Sequence, residues 1–253
     1  MSTADNPNTP GPAGIREEVE VTFFIPCLNE ERHVAATLET VAAAAAEFPW
    51  TYEVIVVDDG STDRTAEAVA DFCRARPELP VRLVRNPGNL GLARSFVDAA
   101  FHGRGRYFRL ICGDNIEPRE SMVAVLRRMG EADLVMPYYP AVPGKSAFRR
   151  MLSGSYNSLV NLISGHRIRY YNGNPLYRRH HVMRWAPHNS GFGYQADLVT
   201  QLLDVGCTHV EVAIVGVHRP KAGSPLRVRG LLSVGHSLLE ISLRRLRKVL
   251  FRR

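Results

Sequence analysis

The first 140 residues alternate between two apolar patterns. Short, continuous apolar runs predict strands over residues 19–25, 53–57, 81–84 and 107–112. A run such as EVIVV, apolar without alternation, suits a strand covered on both faces. Between these runs apolar residues recur every three or four positions. Val34, Leu38, Val41, Ala45 and Phe48 predict a helix from about Glu30, with Asn29 as its cap. Thr65, Val69 and Phe72 predict another over 63–75, and 92–101 reads as a third. A fourth starts after Pro118, which suits a first helical turn, and points Met122, Val125, Leu126 and Met129 inward. Strands alternating with helices imply right-handed crossovers and a mostly parallel sheet flanked by helices, an α/β fold.

Beyond residue 140 the pattern turns helical. Residues 146–164 carry Leu152, Tyr156, Leu159 and Leu162 on one face. The segment from Gly191 to Asp197 opens a helix with Leu198, Leu202 and Val205 inward. Residues 226–253 form an amphipathic helix, with Leu239, Leu243, Leu246 and Leu250 on one stripe and Arg244, Arg245, Lys248 and Arg252 opposite. That composition suits a helix lying in an anionic membrane interface, and equally one packed on its own domain or a partner subunit. Residues 1–17 are polar and rich in Pro and Gly, so they read as a disordered tail rather than a signal peptide. The main domain is then expected over 18–225.

Charge divides the chain in two. Residues 1–140 hold 14 Lys+Arg against 21 Asp+Glu, net −7, whereas 141–253 hold 18 against 4, net +14. A basic half of this size points to a face that meets phosphates. Nucleic acid is set aside, because no helix–turn–helix or aromatic reading surface accompanies the charge. The four cysteines, Cys27, Cys73, Cys112 and Cys207, form no CxxC pair, which argues against a zinc site and a secreted disulfide framework and fits a reducing cytoplasm.

In parallel sheets, ligands bind beyond the carboxyl ends of the strands. The loops expected there are Pro26-Cys27-Leu28-Asn29-Glu30-Glu31, Asp58-Asp59-Gly60-Ser61-Thr62-Asp63, Asn86-Pro87-Gly88-Asn89-Leu90-Gly91 and Gly113-Asp114-Asn115. Any one of them is an ordinary turn by composition. Four polar loops on one sheet edge, three with carboxylates, mark a site. Neither a P-loop nor a GxGxxG follows the first strand, so a kinase or nicotinamide dehydrogenase has little support.

At IPCLNEE, VIVVDDGSTD, RNPGNLGLARS and GFGYQADLVTQLLDVGCTHVEVAI the sequence resembles the family 2 glycosyltransferases, most of all their dolichyl- or polyprenyl-phosphate sugar synthase branch. The resemblance implies a GT-A type, Rossmann-like fold and an inverting transfer from a nucleotide-sugar donor, with Mg²⁺ or Mn²⁺. It implies that Pro26, Glu30, Asp58, Asp59 and Asn89 meet the nucleotide and that Asp114 holds the metal and acts in catalysis. It places Arg149 and Ser153 at an acceptor phosphate, Arg219 and Lys221 at the diphosphate, and Asp197 as a catalytic base or orienting carboxylate; the amides of Asn172 and Asn174 are, by their own chemistry, candidates for sugar hydroxyls and equally the makings of a tight turn. Three departures stand out. Cys112 replaces the first acid of an Asp-x-Asp pair, Tyr138-Tyr139 occupies the place of an arginine, and Tyr170–Arg178 replaces an SGFR-like loop.

The expectation is therefore an enzyme acting on a polyprenyl phosphate at the cytoplasmic face of a membrane. A sugar-hydroxyl acceptor, such as a glycan, is the alternative. A non-catalytic, membrane-associated binder of nucleotide sugars is a third reading.

Overall fold

The computed structural model describes residues 18–141, 146–186, 193–216 and 228–251. Four parallel strands come first: β1 (Val21–Cys27), β2 (Tyr52–Asp58), β3 (Val81–Arg85) and β4 (Tyr107–Leu110). They alternate with α1 (Val34–Ala45), α2 (Thr65–Ala75) and α3 (Leu92–His102). Then follow α4 (Arg119–Leu126), β5 (Leu134–Tyr138), α5 (Ala147–Ser164), β6 (Leu176–Arg178), α6 (Arg179–Met183), α7 (Tyr194–Asp204), β7 (His209–Ala213) and α8 (Val228–Leu250). The strands lie in the order β3-β2-β1-β4-β6-β5-β7, and β6 alone among them runs antiparallel to its neighbours.

The continuous apolar runs are resolved by the two-residue period of a strand. Phe24, Ile55 and Val57 face a core with Phe96 of α3, Val182 of α6 and Leu198 of α7. Their neighbours Phe23, Ile25, Val54 and Val56 face Val34, Leu38 and Val41 of α1, Val69 of α2 and Met122 of α4. Each apolar run thus feeds two cores, and the molecule is layered helix–sheet–helix. Val160 of α5 and Ile241 of α8 join the first core, so the helices of the basic half are built onto one face of the sheet.

Several boundaries differ from the sequence expectation. The first strand runs through Pro26, which pairs with Val57. The first helix starts at Val34, and Asn29 is not its cap. Asn29 adopts φ 59° and accepts a bond from the Thr62 amide at 2.9 Å, tying two loops together instead. Val205, expected inward, is exposed at the end of α7. Arg244, expected on the solvent side, turns inward to Asp197. The leucine stripe of α8 faces away from the domain, with Leu239, Leu246 and Leu250 more than half exposed.

Candidate active site

The loops after β1 and β2 are laced at the carboxyl edge of the sheet. The Asn29 amide donates to Ser61 Oγ at 3.0 Å and the Glu30 amide to Thr65 Oγ1 at 2.8 Å. Asp63 accepts from the Glu31 amide at 3.2 Å. Gly60, at φ +79°, lies against the third loop so closely that a β-carbon there would come within 2.7 Å of Gly88 and 2.8 Å of Asn89 backbone. Only glycine satisfies both the conformation and the approach. Asn89 itself is exposed above this contact.

The two adjacent acids behave differently. Asp58 accepts from the Ser61 amide at 2.9 Å and faces the exposed Arg85 at 3.7 Å. Asp59, expected to offer acceptors to a nucleotide, is committed within the protein. Its Oδ1 accepts from Asn86 at 2.7 Å, the Leu90 amide at 3.0 Å and Ser95 at 3.2 Å, and its Oδ2 accepts from the Gly91 amide at 3.0 Å. It shapes the third loop.

Asp114 arrives beside this pair on the loop after β4. Thr37 of α1 donates to the Gly113 carbonyl at 2.9 Å, and Thr40 to Asn115 Oδ1 at 3.0 Å, which holds the loop down on α1. The buried Cys27 thiol reports the local field: burial pushes its pKa up, and Glu30, Asp58, Asp114 and Asp63 push it further. Carboxylates from three loops therefore converge around the end of β1. Hard oxygen donors in such a field fit Mg²⁺ or Mn²⁺. Glu30, Asp58 and Asp114 are the carboxylates here that could hold such an ion, with phosphate oxygens and water completing its shell.

Cys112 is not part of that donor set. Asn174, at φ 53°, donates from Nδ2 to the Cys112 sulfur at 3.6 Å. Gln195, on the first turn of α7, bonds Asn174 twice, from Nε2 to Oδ1 at 2.6 Å and from the Asn174 amide to Oε1 at 3.2 Å. Beneath them the fully buried Arg109 donates to Glu117 at 2.6 Å and to the Asn174 carbonyl at 3.4 Å, joining the loops on either side of Cys112. Gln195, Arg109 and Glu117 were not signalled by sequence. The one hint for Gln195 is its place two residues before Asp197 in a helix opened by glycines. Asn172 lies next to this cluster in sequence, and its buried Oδ1 has no hydrogen-bond partner among the described residues.

A chain of rings leads from there to α5. Tyr139 is half-buried, and its phenol is pushed up by burial, then by Glu117, Tyr170 and Cys112, against the pull of Arg109. Its ring meets Tyr170 edge-on at 5.6 Å. The Tyr170 phenol in turn bonds Ser153 of α5. Ser153 is thus two rings from the Cys112 loop. Arg149 lies one turn before it on α5 and is half-buried. Tyr139, in the place of an expected arginine, stands within electrostatic reach of Glu117 and Cys112 on one side and against Tyr170 on the other.

Asp197 is buried, and both its oxygens are engaged. Arg244 of α8 donates to Oδ1 at 2.8 Å and Trp185 to Oδ2 at 3.3 Å. Arg244 also donates to Thr200 at 2.6 Å and lies 3.5 Å from Asp204. Arg219 and Lys221, expected at the diphosphate, lie outside the described residues, as does the expected tail over 1–17.

Residues 22–192 match the family described as Glycosyl transferase family 2. The chain is 26% identical over 253 aligned residues to a dolichyl-phosphate beta-glucosyltransferase of Trichomonas vaginalis, covering 89% of this chain and 72% of that protein. It is 32% identical over 161 residues to a dodecaprenyl-phosphate galacturonate synthase of Rhizobium johnstonii, covering 61% of this chain but only 46% of that protein. Glucosyl-3-phosphoglycerate synthase of Mycobacterium tuberculosis, solved with phosphoglyceric acid, superposes with a TM-score of 0.70 at 17% identity over 88% of this chain and 80% of that one. A mannosyltransferase of Pyrobaculum calidifontis, solved with GDP-Man and Mn²⁺, superposes at 0.64 and 20% identity over 89% of this chain and 65% of that one. The parallel first half, the acidic loops at its carboxyl edge and the match over most of the length agree: this chain belongs to the family 2 glycosyltransferases and has their GT-A fold.

Proposed function

We propose that the chain transfers a sugar, with inversion, from a nucleotide-sugar donor to a polyprenyl-phosphate-type acceptor at the cytoplasmic face of a membrane. The observation that carries this reading is the Ser153–Tyr170–Tyr139 connection from α5 to the Cys112 loop. It brings the α5 face that bears Arg149 and Ser153 toward the acidic edge. Similarity to two enzymes named for lipid-phosphate acceptors supports the same choice.

In this reading Glu30 and Asp58, with the backbone of Pro26 and Asn89, meet the nucleotide, while Asp59 keeps the third loop in shape. Asp114 holds Mg²⁺ or Mn²⁺, whose charge offsets that of the departing nucleoside diphosphate. Asn172 and Asn174 offer amides to sugar hydroxyls, Gln195 holds Asn174 in place, and Arg219 and Lys221 meet the diphosphate. Arg149 and Ser153 hold the acceptor phosphate, Arg149 by a charge-assisted bond. The acceptor oxygen forms its bond to the anomeric carbon as the bond to the diphosphate breaks on the opposite face. A phosphate monoester is already ionised near neutral pH, so no strong general base is needed. Asp197, committed to Trp185 and Arg244, then serves as an orienting carboxylate.

No helix among the described residues is long and apolar enough to cross a membrane. Instead α5 exposes Phe148, Met151 and Leu162, and α8 exposes Leu239, Leu246 and Leu250, amid the basic half of the chain. Apolar side chains among arginines suit a surface lying in an anionic interface.

The test is transfer from a panel of labelled nucleotide sugars, with Mn²⁺, to isolated polyprenyl phosphate. Glycolipid product is expected. Product on a sugar hydroxyl but none on the lipid overturns the acceptor assignment. Binding of donor without transfer to any acceptor would make the chain a non-catalytic relative.

A further inference from the structure

We propose that Asp133, His181 and Cys207 form a second metal site, for a zinc-class divalent cation, at the sheet edge opposite the donor loops. Asp133 immediately precedes β5, Cys207 lies just before β7, and His181 sits in α6 at the end of the antiparallel β6. All three therefore gather where the parallel strands begin, whereas Glu30, Asp58 and Asp114 gather where such strands end.

The spacing is that of a coordination shell. His181 Nε2 lies 3.7 Å from Cys207 Sγ and 3.8 Å from Asp133 Oδ1. The ligand atoms all fall within 4.8 Å of one another. A tetrahedral zinc with bonds of roughly 2.0–2.3 Å places its ligand atoms about 3.3–3.8 Å apart, so the triad needs little movement to close on an ion. Three protein ligands leave a fourth position for water. The exposed ring of His180, 4.1 Å from that of His181, stands beside it.

Charge and support favour the same ion. A thiolate and a carboxylate neutralise a divalent cation, so Arg178, 3.0 Å from Asp133 Oδ1, meets no excess positive charge. The Thr208 amide and hydroxyl donate to Asp133 Oδ2 at 2.9 and 2.8 Å and fix the carboxylate from behind, as outer-shell partners do. Burial, then His180, holds the His181 imidazole below its ordinary pKa, in the neutral form that ligates. Burial, then Asp133, raises the Cys207 thiol. Binding would release that thiol proton to solvent as the S–metal bond forms. The soft sulfur selects zinc over Mg²⁺. An ion here would tie β5, α6 and β7 together, the half of the sheet that carries the Asn174 loop.

The experiment titrates the full chain with Zn²⁺ and with Co²⁺, alongside Cys207→Ser, His181→Gln and Asp114→Ala. Stoichiometric zinc, a raised melting temperature with zinc but not with Mg²⁺, and a thiolate-to-cobalt absorption band are expected of the wild type. Cys207→Ser should lose the band and bind zinc at least about tenfold more weakly. Asp114→Ala should leave both unchanged, which separates this site from the donor site. Zinc affinity unchanged in both Cys207→Ser and His181→Gln, or lost in Asp114→Ala, overturns the assignment. Should the triad variants fail to fold, absence of the thiolate band in the wild type overturns it alone.

Discussion

Asn174 donates its side-chain amide to the thiol of Cys112 across 3.6 Å, at the position where an Asp-x-Asp pair would offer its first carboxylate. Gln195 holds Asn174 from the other side. A neutral, hydrogen-bonded cluster therefore replaces one charge of the pair. Cys112→Ala and Asn174→Ala break the same contact, so their effects on donor affinity should not add. A double-mutant cycle read by donor KM is expected to give a coupling of about 0.5–3 kcal/mol. Strict additivity would show that the two side chains act independently.

Asp114 is the one acid left of the Asp-x-Asp pattern in that loop. Asp114→Ala should abolish transfer while leaving the melting temperature of the ligand-free protein nearly unchanged. The stabilisation by nucleotide plus Mn²⁺ should vanish, because only ligand bound to the native state raises its melting point. Full transfer in excess chelator would refute the metal role.

The Asp197–Arg244 contact joins α7 to α8, so Asp197→Asn should be chiefly a stability variant. Weakening a buried charge-assisted bond is expected to cost about 1–3 kcal/mol, read as a shift in urea midpoint. At saturating donor and a temperature well below its melting point, its rate on polyprenyl phosphate should fall less than that of Arg149→Ala. A loss on the order of a hundredfold or more in Asp197→Asn, with Arg149→Ala intact, would instead identify a general base and a hydroxyl acceptor.

Deleting α8 would also remove Arg244 from Asp197, so point changes on the exposed stripe are the cleaner probe of the membrane. Leu239→Glu with Leu246→Glu should release the protein from anionic vesicles without changing its melting temperature. Raised salt should weaken vesicle binding of the wild type. Binding that ignores both treatments would assign the stripe to a protein partner.

Glu53 supplies a pH test of the fold. It is buried, and burial raises its pKa, but bonds from the Arg104 amide and Thr22 outweigh that, so the net shift is downward. A lowered carboxyl contributes stability that is present above its unfolded pKa and lost as pH falls through the folded value. Glu53→Gln should therefore destabilise at neutral pH and flatten the acid limb of the stability curve below about pH 4.5. An acid limb identical to wild type would assign that limb to other carboxylates.

The donor half of the fold was legible because its signals are local. EVIVV needs cover on both faces wherever it folds, and DDGSTD must turn at its glycine. What escaped depends on partners distant in sequence. The antiparallel strand has three residues, LYR, too few for any period to register. Asp59 resembles a ligand until Asn86, Leu90, Gly91 and Ser95 are seen to use both its oxygens. Arg109 reads as an ordinary surface arginine in a strand, yet it is fully buried against Glu117. Asn29 has the composition of a helix cap but is drawn to Thr62 by the neighbouring loop.

The place of β6 between β4 and β5 bears on how the chain is made. The first four strands need nothing beyond residue 110 to pair with one another. Yet β4 meets its second neighbour only when Leu176–Arg178 arrives, nearly seventy residues later. On the ribosome the donor half can close early, while one open strand edge waits for the rest of the chain. An unpaired edge is a template for wrong pairing. Slow elongation between residues 110 and 178 should therefore lower the yield of folded protein more than slow elongation elsewhere.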